Sequence, residues 1–461
     1  MSILGAIIVP HPPIILPAVG KGREQEIAAT SAAYRQAAQL VSQWQPDTLV
    51  LLSPHATAYR DHFHLSPGTR AHGDMAQFGA ATLYLEAVYD AELTAEIARQ
   101  AEAMSLSADT RGERMRVLDH GTMIPLYFFQ EAGLDRPIVR IGLSGLSPLA
   151  HYQLGECIAS AAQQLGRSVA IIASGDLSHK LTADGPYGFA PEGPEFDRLV
   201  TEAMAAGDFL TFLQLKDDFC SAAAQCGLGA FQIMAGALDG QAVHAHLLSY
   251  EGPFGVGYAV ASFTPQGLDQ TRLFAKRYAA EEKERLIRAQ QAEDDYVQLA
   301  RLSLETFIRT GQRVVLPAGL PKEMTDQAAG VFVSLHKAGR LRGCIGTIAP
   351  TTASVAQEII QNAVSAGTRD PRFPRVQPGE LTQLEYSVDV LDAPEPITSP
   401  DQLDVRRYGV IVSSGSRRGL LLPNLEGVDT PSQQIDIARQ KAGIGSREAY
   451  TLQRFEVVRH T

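Results

Sequence analysis

The sequence predicts an α/β chain of two domains, and three observations carry that expectation. Its 461 residues exceed what one ordinary core organises. Over residues 1–263, short Val/Ile/Leu runs alternate with Ala-rich amphipathic stretches, the pattern of a sheet covered by helices on both faces. From about residue 273 the texture changes to a charged helix followed by pairs of alternating strands, which reads as a smaller α+β domain.

In the first region the apolar runs at 6–9, 48–52, 138–143, 169–173 and 258–263 are short and mostly rich in β-branched residues, so they are strand candidates. The stretches at 24–43, 91–103, 151–165, 194–205 and 226–238 are amphipathic at helical spacing. Thr264, Pro265 and Gly267 then form a natural stop. The stretch 275–311 opens highly charged and turns amphipathic. Tyr296, Leu299, Ala300, Ser303, Leu304, Phe307 and Ile308 share one helical face, and Gly311 supplies the C-cap. Beyond it, alternation around Ala338-Gly339 and Gly415-Ser416 predicts β-hairpins. The expected organisation is a domain over 1–265, a solvated linker helix over 266–290 and a second domain over 291–461.

Charge and cysteine usage narrow the function classes. Asp and Glu total 51 against 40 Lys and Arg, a net charge of −11 with no basic run, which argues against a nucleic-acid footprint. The apolar opening is broken by four prolines and lacks a basic leader, so neither a signal peptide nor a membrane span is expected. Four cysteines without a CxxC pair suit a reducing cytoplasm.

The chemistry gathers where apolar runs end. His11 in AIIVPHPP, His55 in LVLLSPHA and His179 in VAIIASGDLSH each follow such a run. A strand delivers its last side chains to the mouth of a sheet, where sites form. Pro10 and Pro12 hold His11 on stiff, extended backbone. A lone histidine is more often a satisfied core residue, but three in one pattern lower that reading. Glu251, in LLSYEGPFGVGYAVASF, offers a carboxylate between two further apolar runs. Two imidazoles and one carboxylate make the facial set of non-haem Fe(II) enzymes, so His11, His55 and Glu251 are the expected metal ligands, with Zn or Cu as the alternative metal. His179 follows Asp176, and His120 follows Asp119 in LDHGTMIP. A neighbouring carboxylate orients an imidazole for proton transfer, so His179, His120 and Asp176 are expected around the metal as catalytic residues.

PHPP, SPHA, DHGT and SGDLSH together resemble the class III extradiol dioxygenase (LigB-like) family and its Memo-like relatives, over roughly residues 1–265. The resemblance implies a mixed sheet wrapped by helices and Fe(II) on His11, His55 and Glu251. It also implies His179 as acid/base, His120 contacting substrate or oxygen, and a small aromatic, catechol-like substrate. LRGCIG, RDPRFP, LEYSVDVL, RGLLLP and QKAGI, in that order from about residue 293 onward, resemble the AMMECR-type domain. There Cys344, beside Arg342 and between glycine and isoleucine, is a candidate reactive thiol, with Asp370 and Glu385 as possible neighbours in a polar cleft. A binding or structural role for Cys344 is favoured over catalysis. The fusion of both domains resembles protein A of the AmmeMemoRadiSam system, which implies a functional link to a separately encoded radical SAM protein. No CxxxCxxC motif is present to host that chemistry in this chain.

An iron-dependent oxidoreductase is thus the leading expectation. A metal-binding adaptor without turnover and a metallohydrolase are the alternatives, and self-association into a homo-oligomer is left open.

Overall fold

The apolar runs of the first region assemble, in the computed structural model, into one mixed sheet whose four parallel strands are buried on both faces. The structure describes residues 2–113, 116–425 and 427–461. Six strands form that sheet: β1 (Ile3–Val9), β2 (Thr48–Ser53), β3 (Ile138–Gly142), β4 (Val169–Ser174), β5 (Gln241–Glu251) and β6 (Tyr258–Leu268), in the order β3-β2-β4-β1-β6-β5. The first four run parallel, and β6 pairs antiparallel with both β1 and β5. Alternate residues of one strand feed opposite cores, as a side-chain period of two requires. Val50 and Leu52 enter one core with Ile171 and Ala173, while Leu49 and Leu51 enter the other with Ala170 and Ile172.

Helix α1 (Ala28–Trp44) and helix α3 (His120–Glu131) cover the second of these faces. Helices α2 (Ala91–Ala103), α4 (Pro148–Leu165), α5 (Glu192–Ala206) and α6 (Leu228–Ala237) cover the first. Helices α4 and α6 touch backbone to backbone, because a Cβ at Gly236 would lie 1.8 Å from the Tyr152 carbonyl oxygen and one at Gly155 2.0 Å from that of Ile233.

The chain divides into two units, Met1–Glu281 and Glu282–Thr461, and helix α7 (Phe274–Ala292) crosses the division. The expected solvated linker helix is therefore packed at its start: Phe274 is buried in the first core, with Ala275 and Tyr278 against it. Glu293 and Asp294 interrupt the helical path, and the Asp294 carboxylate caps α8 (Asp295–Thr310), which ends at Gly311 with φ of 74°.

In the second unit, α8 and α9 (Val355–Thr368) cover a sheet of β7 (Val331–Lys337), β8 (Arg340–Gly346), β9 (Leu384–Leu391) and β14 (Val457–His460). A second sheet joins β10 (Glu395–Ile397), β11 (Gly409–Ser414), β12 (Arg417–Leu421) and β13 (Thr451–Phe455), against helix α10 (Pro431–Lys441). Both expected hairpins form. Ala338 and Gly339 take positive φ between paired Lys337 and Arg340, and Gly415 does so between paired Ser414 and Arg417. The fold class is thus mixed α/β followed by α+β. Among the described residues no helix is long and apolar enough to cross a membrane.

Candidate metal centre

Sheet register places the first site. Strands β2, β4 and β1 are parallel neighbours, with Leu52 level with Ala173 and Val9 level with Ser174. Their loops therefore leave one edge side by side. His11 stands two residues beyond Val9, His55 two beyond Ser53, and Asp176 two beyond Ser174. The Nε2 atoms of His11 and His55 face each other at 3.0 Å. His11 Nδ1 meets Ser174 Oγ at 3.0 Å, which directs the opposite ring nitrogen toward His55. The His11 backbone N–H donates to Asp176 Oδ1 at 2.8 Å. Asp176 is thus a partner of His11, and its Oδ2 lies 3.9 Å from His11 Nε2.

A thiol completes the group. Cys226 Sγ lies 3.6 Å from His11 Nε2 and 3.7 Å from the Asp176 carbonyl oxygen. It stands just ahead of α6, and it arrives there because two glycines meet: a Cβ on Gly175 would sit 2.2 Å from Gly227 Cα. One donor atom each from His11, His55 and Cys226 lies within 4.8 Å of the others. The separations from His11 Nε2, 3.0 Å to His55 Nε2 and 3.6 Å to Cys226 Sγ, are what bonds of about 2.0–2.3 Å from each donor to one ion allow. Burial, then the neighbouring His55 charge, pushes the His11 imidazole down to about 3, which keeps its lone pair free for a cation. Burial and the Asp176 charge push the Cys226 thiol up, so a bound cation would have to displace its proton. The donor set fits a metal ion.

His120 belongs to the cluster as well. Its ring centroid lies 4.1 Å from that of His55 and 5.4 Å from that of His11, with Phe78 edge-on at 5.2 Å. Burial, then His55 and His11, lowers it to about 3. The expected orientation of His120 by Asp119 takes another form: the Asp119 carboxylate caps α3 through Thr122 and accepts from Ser53 Oγ at 2.5 Å. His179 lies close enough for its charge to act on His11 and Asp176. Its Nδ1 is buried without a hydrogen-bond partner among the described residues, and its ring meets Tyr187 edge-on at 5.2 Å.

Glu251 is a correction. Its Oε2 accepts from both the backbone N–H and the hydroxyl of Thr30, each at 2.6 Å, in the first turn of α1. The physical reason is strand order. Glu251 ends β5, two strands beyond β1, which at about 4.8 Å per strand displaces it by roughly 10 Å from His11. Among the described residues it is Cys226, not Glu251, that stands with His11 and His55. A cysteine followed by glycine at a helix start was the available signal, since glycine there permits close approach.

In the second unit Cys344 lies on β8, where Ser334 Oγ donates to its sulfur at 3.2 Å and its N–H donates to Asp370 at 2.9 Å. Asp370 shares that place as expected, but the guanidinium beside it belongs to Arg372, which also donates to the Cys344 carbonyl oxygen. Arg342 is taken by Glu380 and Glu385 by Arg285, so neither completes the expected cleft.

Comparison with known proteins agrees with this architecture. Residues 5–261 match the family model described as the catalytic LigB subunit of aromatic ring-opening dioxygenase, and residues 297–460 match the AMMECR1 model. The chain belongs to the LigB family, with an AMMECR1 domain joined to it. A protein of Clostridium acetobutylicum is 39% identical over 468 residues, covering 100% of this chain and 99% of its own, so it shares the two-domain fusion. A Thermotoga maritima protein is 49% identical over 153 residues, covering 33% of this chain and 88% of its own. Among solved structures, a Pyrococcus horikoshii protein matches 36% of this chain and 88% of its own at 31% identity, with a TM-score of 0.34.

Proposed function

We propose that the first domain is a metal-dependent oxidoreductase, with iron held by His11, His55 and Cys226 and a small catechol-like aromatic as substrate. The observation that carries the reading is the convergence of two imidazole nitrogens and one thiol at a shared sheet edge, in a chain of the LigB family. Iron, when bound, supplies Lewis acidity and the redox chemistry with oxygen. The chain's own residues do the rest. His179 offers an imidazole to take the proton of a substrate hydroxyl, and His120 offers a second imidazole beside Phe78 to hydrogen-bond the substrate. Asp176 holds the His11 backbone. The AMMECR1 domain assists substrate handling, a radical SAM protein is the partner, and the chain works in the cytoplasm, in keeping with its four free cysteines.

The thiol also supports a second reading. A thiolate is softer than a carboxylate and suits copper or zinc, so the same three donors serve a metal-binding adaptor that turns nothing over. One experiment separates the two. Protein purified anaerobically is analysed for metal beside His11→Ala, Cys226→Ala and Glu251→Ala, and its oxygen uptake is followed with a catechol panel. The expected outcome is iron in the parent and in Glu251→Ala, loss in the other two, and uptake with at least one catechol. Full metal content in His11→Ala and Cys226→Ala would sink the site. A metal-replete protein inert toward every catechol would leave the adaptor.

A further inference from the structure

We infer that Asp119 is a positioning residue for this centre, anchoring His55 and the helix that bears His120 to a single buried carboxylate. The inference rests on the ligand set proposed above. Asp119 lies between α3 and the end of β2, and an N-cap needs only its bond from the Thr122 N–H, 3.0 Å long. The structure gives it more. Oδ1 also accepts from Ser53 Oγ at 2.5 Å, and Ser53 Oγ in turn accepts the backbone N–H of His55 at 3.2 Å. Oδ2 accepts from Thr122 Oγ1 at 2.9 Å and faces the Arg140 guanidinium at 3.8 Å. Arg140 is 1% exposed, on β3, and is held by Ser66 Oγ and the Val117 carbonyl oxygen. The first turn of α3 is pressed against the same point: a Cβ on Gly121 would lie 2.4 Å from Ser53 Oγ and 3.5 Å from His55 Cδ2. Movement of the carboxylate therefore moves the peptide of one ligand and the helix start that carries His120. The buried Arg140 guanidinium behind it helps to hold the carboxylate in place.

The fold supplies a matched control at the other end of β2. Asp90 is also a buried N-cap, of α2. It accepts from the Leu93 N–H at 3.0 Å and from the hydroxyl of Thr48, the first residue of β2, at 2.6 Å, with Arg167 at 3.6 Å. The chemistry is the same, but no metal ligand follows Thr48. If Asp119 acted only as a cap and an ion-pair partner, the two aspartates would behave alike.

Anaerobic Co(II) titration of the full-length protein, read from the visible absorption bands, tests this beside the melting temperature of the metal-free protein. Ser53→Ala and Asp119→Asn are each expected to weaken Co(II) binding by about 10–100-fold and to shift the bands. The double variant is expected to be no weaker than the poorer single one, because both act through one chain of hydrogen bonds. Asp90→Asn should melt lower yet bind Co(II) as the parent does. Should Asp119→Asn fail to fold, Ser53→Ala decides. Parental affinity and bands in Ser53→Ala and Asp119→Asn, or equal effects of Asp90→Asn and Asp119→Asn on affinity, would overturn the inference alone. A parent protein that binds no Co(II) would overturn the ligand set and the inference with it.

Discussion

Cys226 reaches His11 only because Gly175 and Gly227 carry no side chains where their backbones cross. A methyl on Gly175 would sit 2.2 Å from Gly227 Cα, so one of the two segments must move. Gly175→Ala is therefore expected to displace the thiol and weaken Co(II) binding by about 10–100-fold, with loss of the sulfur-to-metal absorption band. An unchanged band would mean that the substitution leaves the thiol in place, and a parent protein with no such band would mean that Cys226 is not a ligand. His179 carries the complementary prediction. Its Nδ1 has no partner among the described residues, and it stands apart from the three donors. His179→Ala should keep a full complement of metal and lose about 10²–10⁴-fold in turnover with any catechol that the parent accepts. Release of metal from that variant would instead make His179 a ligand.

The loop that carries His179 is governed by helix α5. Asp197, 1% exposed within that helix, accepts the Ser178 N–H at 2.8 Å and the Tyr250 hydroxyl at 2.8 Å. Burial outweighs both bonds and raises its carboxyl from 3.8 to about 7. The folded protein therefore holds this proton more tightly than the unfolded chain. The resulting stabilisation is complete below pH 3.8 and is lost as pH rises toward 7. Between those limits stability should fall by up to about 1.4 kcal/mol per pH unit from this group. Asp197→Asn, which can keep both hydrogen bonds, should flatten the dependence of melting temperature on pH across that window. A slope identical to that of the parent would show that Asp197 titrates elsewhere. Elements marked by an apolar run or an amphipathic period were readable from sequence, and two elements without either mark were not. Helix α3 contains Gly121 and Pro125 and is buried over most of its length, so no amphipathic period marks it. The hairpin of Arg70–Met75 and Ala80–Val88 alternates in burial over much of its length, but four of its six buried residues are alanine or glycine and its outward ones are largely polar.

At the scale of the molecule, the boundary between the two units falls inside α7 rather than ahead of it. Phe274 is buried in the first core, its N–H donates to Asp239, and Arg272 donates to the carbonyl oxygens of Gln241 and Gly207. A fragment of residues 1–265 should then be less stable than one of 1–292 by at least about 2 kcal/mol, the contribution of one buried aromatic side chain. Urea unfolding of the two fragments measures the difference, and equal midpoints would mean that the α7 residues contribute nothing to the first unit. The sequence by itself determined the two-domain organisation, five strand runs of the first sheet, both hairpins of the second unit and the exit of His11 and His55 from strand ends. Each of these is written in local periodicity or turn chemistry, and His11 and His55 follow directly from where apolar runs stop. Only the tertiary structure decided the third donor. Glu251 and Cys226 both lie far from His11 along the chain, and strand order carries the glutamate two strands away while a glycine crossing brings the cysteine in. Neither strand order nor the approach of two backbones is encoded in a periodicity, because both depend on which segments pack together over long separations.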